Sequence, residues 1–262
     1  LNTGQEVSTI VSIISEGEVV ASETEFQVLE GWTAADIARQ YGELFSKFIS
    51  NEASDLEDDF LSEVAVTDSR DIIPGQPYWF LVDKPYMANL EGYLFPDTYR
   101  VYKDATPAQI VQKMLNNFEI KLNDELKSKI EQSGLTIFET VTLASIVEKE
   151  VRTDKDRRLV ADLFLRRMEN GMPLQSDATV NYVTGKSELQ PTIDDTKMES
   201  LYNTYLHQGL PPGPICNPSL ASISAVVNPE PNDYVYYLNA PDGQTYFSKT
   251  FEGHKINKAK YL

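Results

Sequence analysis

The residues best suited to do chemistry lie at the end of the segment Thr136–Glu150, TIFETVTLASIVEKE. Thr136 followed by Glu139 is a capping-box signature and predicts a helix start there. Leu143, Ile146, Val147 and Glu150 then recur at i, i+3, i+4 and i+7, one face at helical period. Glu148 projects about 200° away from Glu150 around the axis. The pattern therefore predicts Glu148 in water and Glu150 against an apolar wall. A carboxyl group among apolar neighbours has a raised pKa, the property of a general acid near neutral pH. The same pattern also suits a Glu150 at the fraying end of a surface helix or in a structural salt bridge.

Three further stretches combine residue types that bind polar ligands. EGYLFPDTY (91–99) sets Glu91 and Asp97 among aromatic rings, the combination a groove uses to stack pyranose rings and hold their hydroxyls. An aromatic core turn with capping acids reads the same way. LQSDATVNY (174–182) alternates polar and apolar residues, so Gln175, Ser176, Asp177 and Thr179 present a hydrogen-bonding edge or satisfy a turn. YNTY (202–205), with Tyr202, Asn203 and Tyr205, precedes GLPPGPICNP (209–218). Such a Pro/Gly-dense loop has little conformational entropy left to lose and suits either a pre-organised site or a structural crossing.

The elements that must position these residues are mostly helical. Capping boxes are expected at Thr33/Asp36, opening a helix to about Phe48, and at Ser54/Glu57, opening an acidic helix to about Ala65. Thr106-Pro107 starts another, Asn123 to Ser133 a fourth stopped by Gly134, and Asp154 to Asn170 a fifth closed by Gly171. Before them, residues 8–17 are helix-like and residues 19–29 strand-like, and DIIPGQP (71–77) is a breaker cluster. Near the end, YVYYLN and QTYFS flank Pro241-Asp242-Gly243 as a β-hairpin. Helices in the middle with strands at both ends indicate the α+β class.

Composition excludes several partners. The chain of 262 residues carries a formal charge of −17 and no basic stripe, which argues against nucleic acid. One cysteine, Cys216, and two histidines, His207 and His254, leave no material for a disulfide or a thiolate- or histidine-rich metal site, so no cofactor is expected. No run approaches the ~18 apolar residues of a membrane span. A chain that begins at Leu1 is expected to be a fragment, from which an N-terminal anchor would be missing.

Together, EGYLFPDTY, LASIVEKE (143–150), NGMPLQSDATVNY (170–182), and YNTY with GLPPGPICNP resemble the YceG-like endolytic murein transglycosylases, in the family's order, from about Phe26 to His254. The resemblance implies a lyase that cuts nascent peptidoglycan strands internally at the MurNAc-β-1,4-GlcNAc bond and leaves 1,6-anhydro-MurNAc ends. It implies a single-pass anchor in the bacterial cytoplasmic membrane, with the catalytic part outside, and peptidoglycan synthases as partners. The essential acid of the family is the second glutamate of the EKE triplet, here Glu150. Gln175, Asp177, Tyr202, Asn203 and Tyr205, with Glu91 and Asp97, are the expected substrate-binding residues. The segment before Trp32 resembles the end of a LysM-like module, giving a remnant at 1–30 and a YceG-like catalytic domain at 31–262. A water-adding muramidase with Asp177 or Asp97 as second carboxylate, or a non-catalytic peptidoglycan-binding scaffold, are the alternatives. The chain departs from the family at Ala178 (often proline), Cys216 (alanine), Gln244 (histidine) and Lys255 (asparagine).

Overall fold

A computed structural model describes residues 22–65, 78–186 and 191–262. The helix-like run at 8–17 and the breaker cluster at 71–77 lie outside the described residues. In chain order the elements are β1 (Glu23–Gln27), α1 (Ala34–Phe45), α2 (Ala53–Val64), a 3-10 turn (Trp79–Leu81), β2 (Thr98–Tyr102), α3 (Pro107–Lys121), α4 (Asp124–Ser133) and α5 (Ile137–Glu150). There follow α6 (Asp154–Glu169), α7 (Asp177–Thr184), a second 3-10 turn (Asp195–Lys197), α8 (Leu220–Val227), β3 (Tyr236–Asn239), β4 (Thr245–Ser248) and α9 (Phe251–Tyr261). The fold is α+β: two small antiparallel sheets, β1–β2 and β3–β4, on a helical body. No helix among the described residues is long and apolar enough to cross a membrane.

Local chemistry accounts for most helix starts. Thr33, Thr106 and Thr136 each cap a helix reciprocally with the residue three positions on. Asn123 caps α4, and Gly134 ends it in the left-handed conformation at φ 77°. Two expectations are corrected. Ser54 does not cap α2, which begins at Ala53 and places Ser54 inside the first turn, with Glu52 as an N-cap that makes no side-chain bond. Helix α1 ends at Phe45, not near Phe48. In the alternating stretch 174–182, the residues from Asp177 onward form α7.

Helix α5 is the centre of the molecule. All residues from Thr140 to Val147 are buried, so it has no solvent face along that stretch, and the amphipathic reading of it is corrected. It packs against α6, α7, α8 and the first 3-10 turn. Each fully buried Val, Leu or Ile there contributes about 1.5–3 kcal/mol relative to exposure. Its polar residues are spent internally: Ser145 Oγ donates to Thr142 O at 2.7 Å and accepts the Ile215 N–H at 3.0 Å. The same core extends to Phe26, Tyr41, Phe45 and Phe60 between β1, α1 and α2. Strand β1 pairs with β2 in the register Phe26↔Tyr99.

Asn217 staples three distant segments together. Its Oδ1 accepts the Gly92 and Leu94 N–H groups, both at 2.9 Å, while its Nδ2 donates to Trp32 O and Glu91 Oε1, both at 3.0 Å. Its backbone exchanges hydrogen bonds with Gly31 N and Trp32 O. Gly92 adopts φ 91°, and a Cβ there would fall 2.5 Å from Pro214, so the close approach of the two loops requires glycine. Asn217 is fully buried. Asn217→Ala, which strands two N–H groups, a carbonyl and a carboxylate, is expected to cost about 3 kcal/mol in urea unfolding.

Candidate active site

A cleft of about 1170 Å³ opens at the C-terminal end of α5, between α1, α7, α9 and the β3–β4 hairpin. Glu150 lies in it, in the last turn of α5 before Val151 turns extended (φ −142°, ψ 157°). The Ser176 hydroxyl, at the N-cap position of α7, donates to Glu150 Oε1. The Tyr237 hydroxyl on β3 and the Ala178 amide also act on this carboxylate in favour of its charged form. Burial outweighs them and, with the nearby Asp177 charge, pushes the Glu150 pKa above the usual carboxylate range. The Glu150 carbonyl accepts Asn239 Nδ2 at 2.7 Å, and Thr245 Oγ1 orients Asn239 at 3.0 Å.

Glu148 takes a different place from the one its periodicity predicts. Its side chain is only 7% exposed. Glu148 Oε2 accepts the Ser219 N–H at 3.1 Å, the Ser219 hydroxyl at 2.5 Å and the Ser222 hydroxyl at 2.6 Å, and Oε1 faces Arg157 at 3.4 Å. The carboxylate therefore sits at the N-terminus of α8, where a helix welcomes negative charge. The expectation of a water-facing Glu148 fails because α8 and α6 cover that side of α5.

The cleft brings together Glu150, Gln175, Asp177 and Tyr205, with Glu91 at its edge. Tyr205 donates to Asp177 Oδ1 at 2.6 Å, and burial raises the pKa of Asp177. Gln175 is held at φ 52°, a left-handed geometry uncommon for a residue with a side chain, by its N–H bond to Thr204 O at 3.0 Å. Thr204, which the sequence did not single out, also accepts the Ser176 N–H at 3.0 Å and meets Thr179 Oγ1 at 2.9 Å. It thereby sets the 174–179 segment against the 202–205 loop.

Three expected substrate contacts lie elsewhere, and a fourth, Glu91, lines the cleft but is spent on the scaffold. Asn203 is 1% exposed and spends its amide on Thr196 O and Met198 O, so it shapes the loop. Asp97 is outside the cleft, bonded to Asn117 Nδ2 at 3.0 Å and 3.5 Å from Lys121 Nζ, which hold its pKa below the ordinary value against a burial penalty. Tyr202 does not line the cleft and packs its ring on Tyr182 at 5.1 Å. Glu91 is buried, with both carboxylate oxygens accepting the Ala34 N–H at the start of α1 and Oε1 bonded to Asn217. Burial pushes its pKa up to about 7.

Beside Thr204, two further positioning residues escaped the sequence reading. Arg167 donates to Leu174 O and, at 2.9 Å, to Val235 O, tying the segments on either side of Glu150 to α6. Its spacing of four from buried Leu163 was a usable signal. Tyr237 sits in a tyrosine-rich strand whose two faces differ only by what covers them, and no sequence signal marks it.

Two stability outcomes separate these carboxylates. Glu148→Ala is expected to lose about 3 kcal/mol in urea unfolding, because the N-terminus of α8 and buried Arg157 lose their partner; Glu150→Gln is expected to be neutral or stabilising at neutral pH. Glu91 has a folded-state pKa of about 7 against an ordinary 4.5, so its favourable contribution is complete below about 4.5 and lost as pH rises to 7. Stability measured across that window should fall, and Glu91→Gln should flatten the fall.

The sequence profile of the YceG-like family matches residues 1–260. The chain is 30% identical to the endolytic murein transglycosylase of Bacillus subtilis (strain 168), over 100% of this chain and 71% of that protein. It is 32% identical to the endolytic murein transglycosylase of Streptococcus pneumoniae serotype 2 (strain D39), over 89% of this chain and 44% of that protein. A crystal structure of a YceG-like protein from Listeria monocytogenes superposes with a TM-score of 0.76 at 31% identity, covering 98% of this chain and 82% of that one. On this evidence the chain belongs to the YceG-like family.

Proposed function

We propose that the chain is an endolytic lytic transglycosylase that cuts the MurNAc-β-1,4-GlcNAc bond of peptidoglycan strands with Glu150 as acid and then base. The observation that carries this reading is the Glu150 carboxyl group, raised in pKa by burial, in the last turn of a buried helix that ends in a large cleft. The identities of the relatives support the same reaction class. Protonated Glu150 donates to the glycosidic oxygen as the C1–O bond breaks. The ionised carboxylate then removes the proton from the muramoyl C6 hydroxyl, whose oxygen closes on C1 to give the anhydro end. Proton and bond counts balance without water, and holding C6–OH near C1 makes closure intramolecular. Ser176 and Tyr237 stabilise the carboxylate that appears between the two steps.

The same proposal covers the flanks. Residues 1–30 are the end of a LysM-like module whose last strand, β1, pairs with β2, and the enzyme works beside peptidoglycan synthases at the outer face of the bacterial cytoplasmic membrane. A second reading has one observation in its favour: Asp177 shares the cleft with Glu150 and would serve a water-adding muramidase as second carboxylate. Mass spectrometry of digested glycan strands separates the two. Anhydro ends with no added water support the lytic reaction, and reducing ends heavier by one water overturn it. Glu150→Gln is expected to fold and to release no product, and turnover at the unsubstituted rate would remove Glu150 from its role.

The rate should fall as pH rises through the elevated pKa of Glu150, since the first step needs its proton. Ser176→Ala removes a donor to the ionised form, so it is expected to move that alkaline limb to higher pH in a pH–rate profile.

A further inference from the structure

The chain as a whole is strongly acidic, with 40 Asp and Glu against 23 Lys and Arg. Its cleft is not. The acids that line it are largely spent: Asp36 on Thr33 and Arg39, Glu91 on Ala34 and Asn217, Glu148 on α8, and Asp177 on Tyr205. Glu30 is the exception among lining acids other than Glu150 itself. Lys149, Arg152 and Lys258 line the same cleft, are exposed, and have no ion pair among the described residues. They come from different walls: Lys149 beside Gly31, Arg152 beside Gly243 at the hairpin tip, and Lys258 on α9 close enough to Asp177 and His254 to act on both charges. On α9, His254 also lines the cleft, and its Nδ1 is buried with no hydrogen-bond partner among the described residues. That is a polar atom left for a ligand.

The N-acetylated sugars of a glycan strand carry no charge, so three cations around Glu150 find no ionic partner on the sugar rings. Anions on such a strand sit on the muramoyl C3 substituent: the carboxylates of an attached peptide, or the lactyl carboxylate once the peptide is removed. We propose that Lys149, Arg152 and Lys258 form a cationic rim that binds the carboxylates of the peptide borne by the muramoyl residue, making the cleft selective for peptide-bearing glycan. The inference rests on the reading of the substrate as peptidoglycan. Three cations on separate walls exceed what a single lactyl carboxylate can engage, which favours the peptide as the source.

Binding tests this without catalysis. A GlcNAc–MurNAc disaccharide contains no bond of the type cleaved, so the unsubstituted chain can be titrated by calorimetry with four probes: the peptide-bearing disaccharide, the same with its carboxylates amidated, the disaccharide with a free lactyl group, and uncharged chitobiose. The peptide-bearing probe is expected to bind about tenfold more tightly than the amidated one, with a preference that shrinks as salt is added. The Lys149→Gln/Arg152→Gln/Lys258→Gln variant should lose the preference and keep its affinity for chitobiose; Lys258→Arg should retain it. All three side chains are exposed, and circular dichroism of the triple variant confirms its folding. A free-lactyl probe that binds as tightly as the peptide-bearing one overturns the peptide as the source. Equal affinity for the charged and amidated probes overturns the rim altogether. Neither result depends on anhydro product, so failure of the lytic reading and failure of this inference are separate outcomes.

Discussion

The enclosure of α5 is the constraint on which the rest of the structure depends. A helix with one solvent face can fray at its end and let a terminal side chain wander. From Thr140 to Val147 this one has no such face, because α6, α7, α8 and the first 3-10 turn surround it. Its last turn is therefore delivered to a defined point in space, and the two glutamates in that turn have their directions set by the body of the molecule.

Those directions give two carboxylates of one helix opposite duties. Glu148 meets a ready set of donors, the Ser219 amide and hydroxyl, the Ser222 hydroxyl and Arg157, and joins α5 to the start of α8. Glu150 has fewer donors, and burial outweighs them and raises its pKa above the usual carboxylate range. The difference follows from what each side of α5 is packed against. Charge-assisted bonds make Glu148 a structural group, and the weaker set at Glu150 leaves its pKa raised, as the proposed acid role requires.

The loops around the cleft are held by buried polar residues more than by regular structure. Asn217 and Glu91 bind the 31–34, 91–94 and 217 segments into one unit, Thr204 registers the 174–179 segment, and Arg167 ties that segment to β3. Each is a buried group whose partners come from far along the chain, and a site built this way is rigid before any ligand arrives. Most of the acids that line the cleft are engaged in hydrogen bonds, so that a strongly acidic protein presents exposed cations there.

Much of the secondary structure was legible in the sequence, because capping boxes at Thr33, Thr106 and Thr136, the stop at Gly134 and the hairpin turn at 241–243 are local signals obeyed locally. The place of Glu150 in the last turn of its helix was legible too, because the capping box at Thr136 sets where that helix starts. Where local chemistry was overruled, tertiary packing is the reason. A periodicity rule puts Glu148 on the side away from the apolar stripe and assumes that this side meets water; here α6 and α8 cover it. Asn203, Asp97 and Glu91 sit in motifs dense with polar and aromatic residues, and nothing local tells a side chain that faces a ligand from one that satisfies a carbonyl or a helix terminus. Only the folded chain decided that Ser176 and Tyr237, 61 positions apart in sequence, meet at one carboxylate, since that meeting depends on long-range packing that no local pattern encodes.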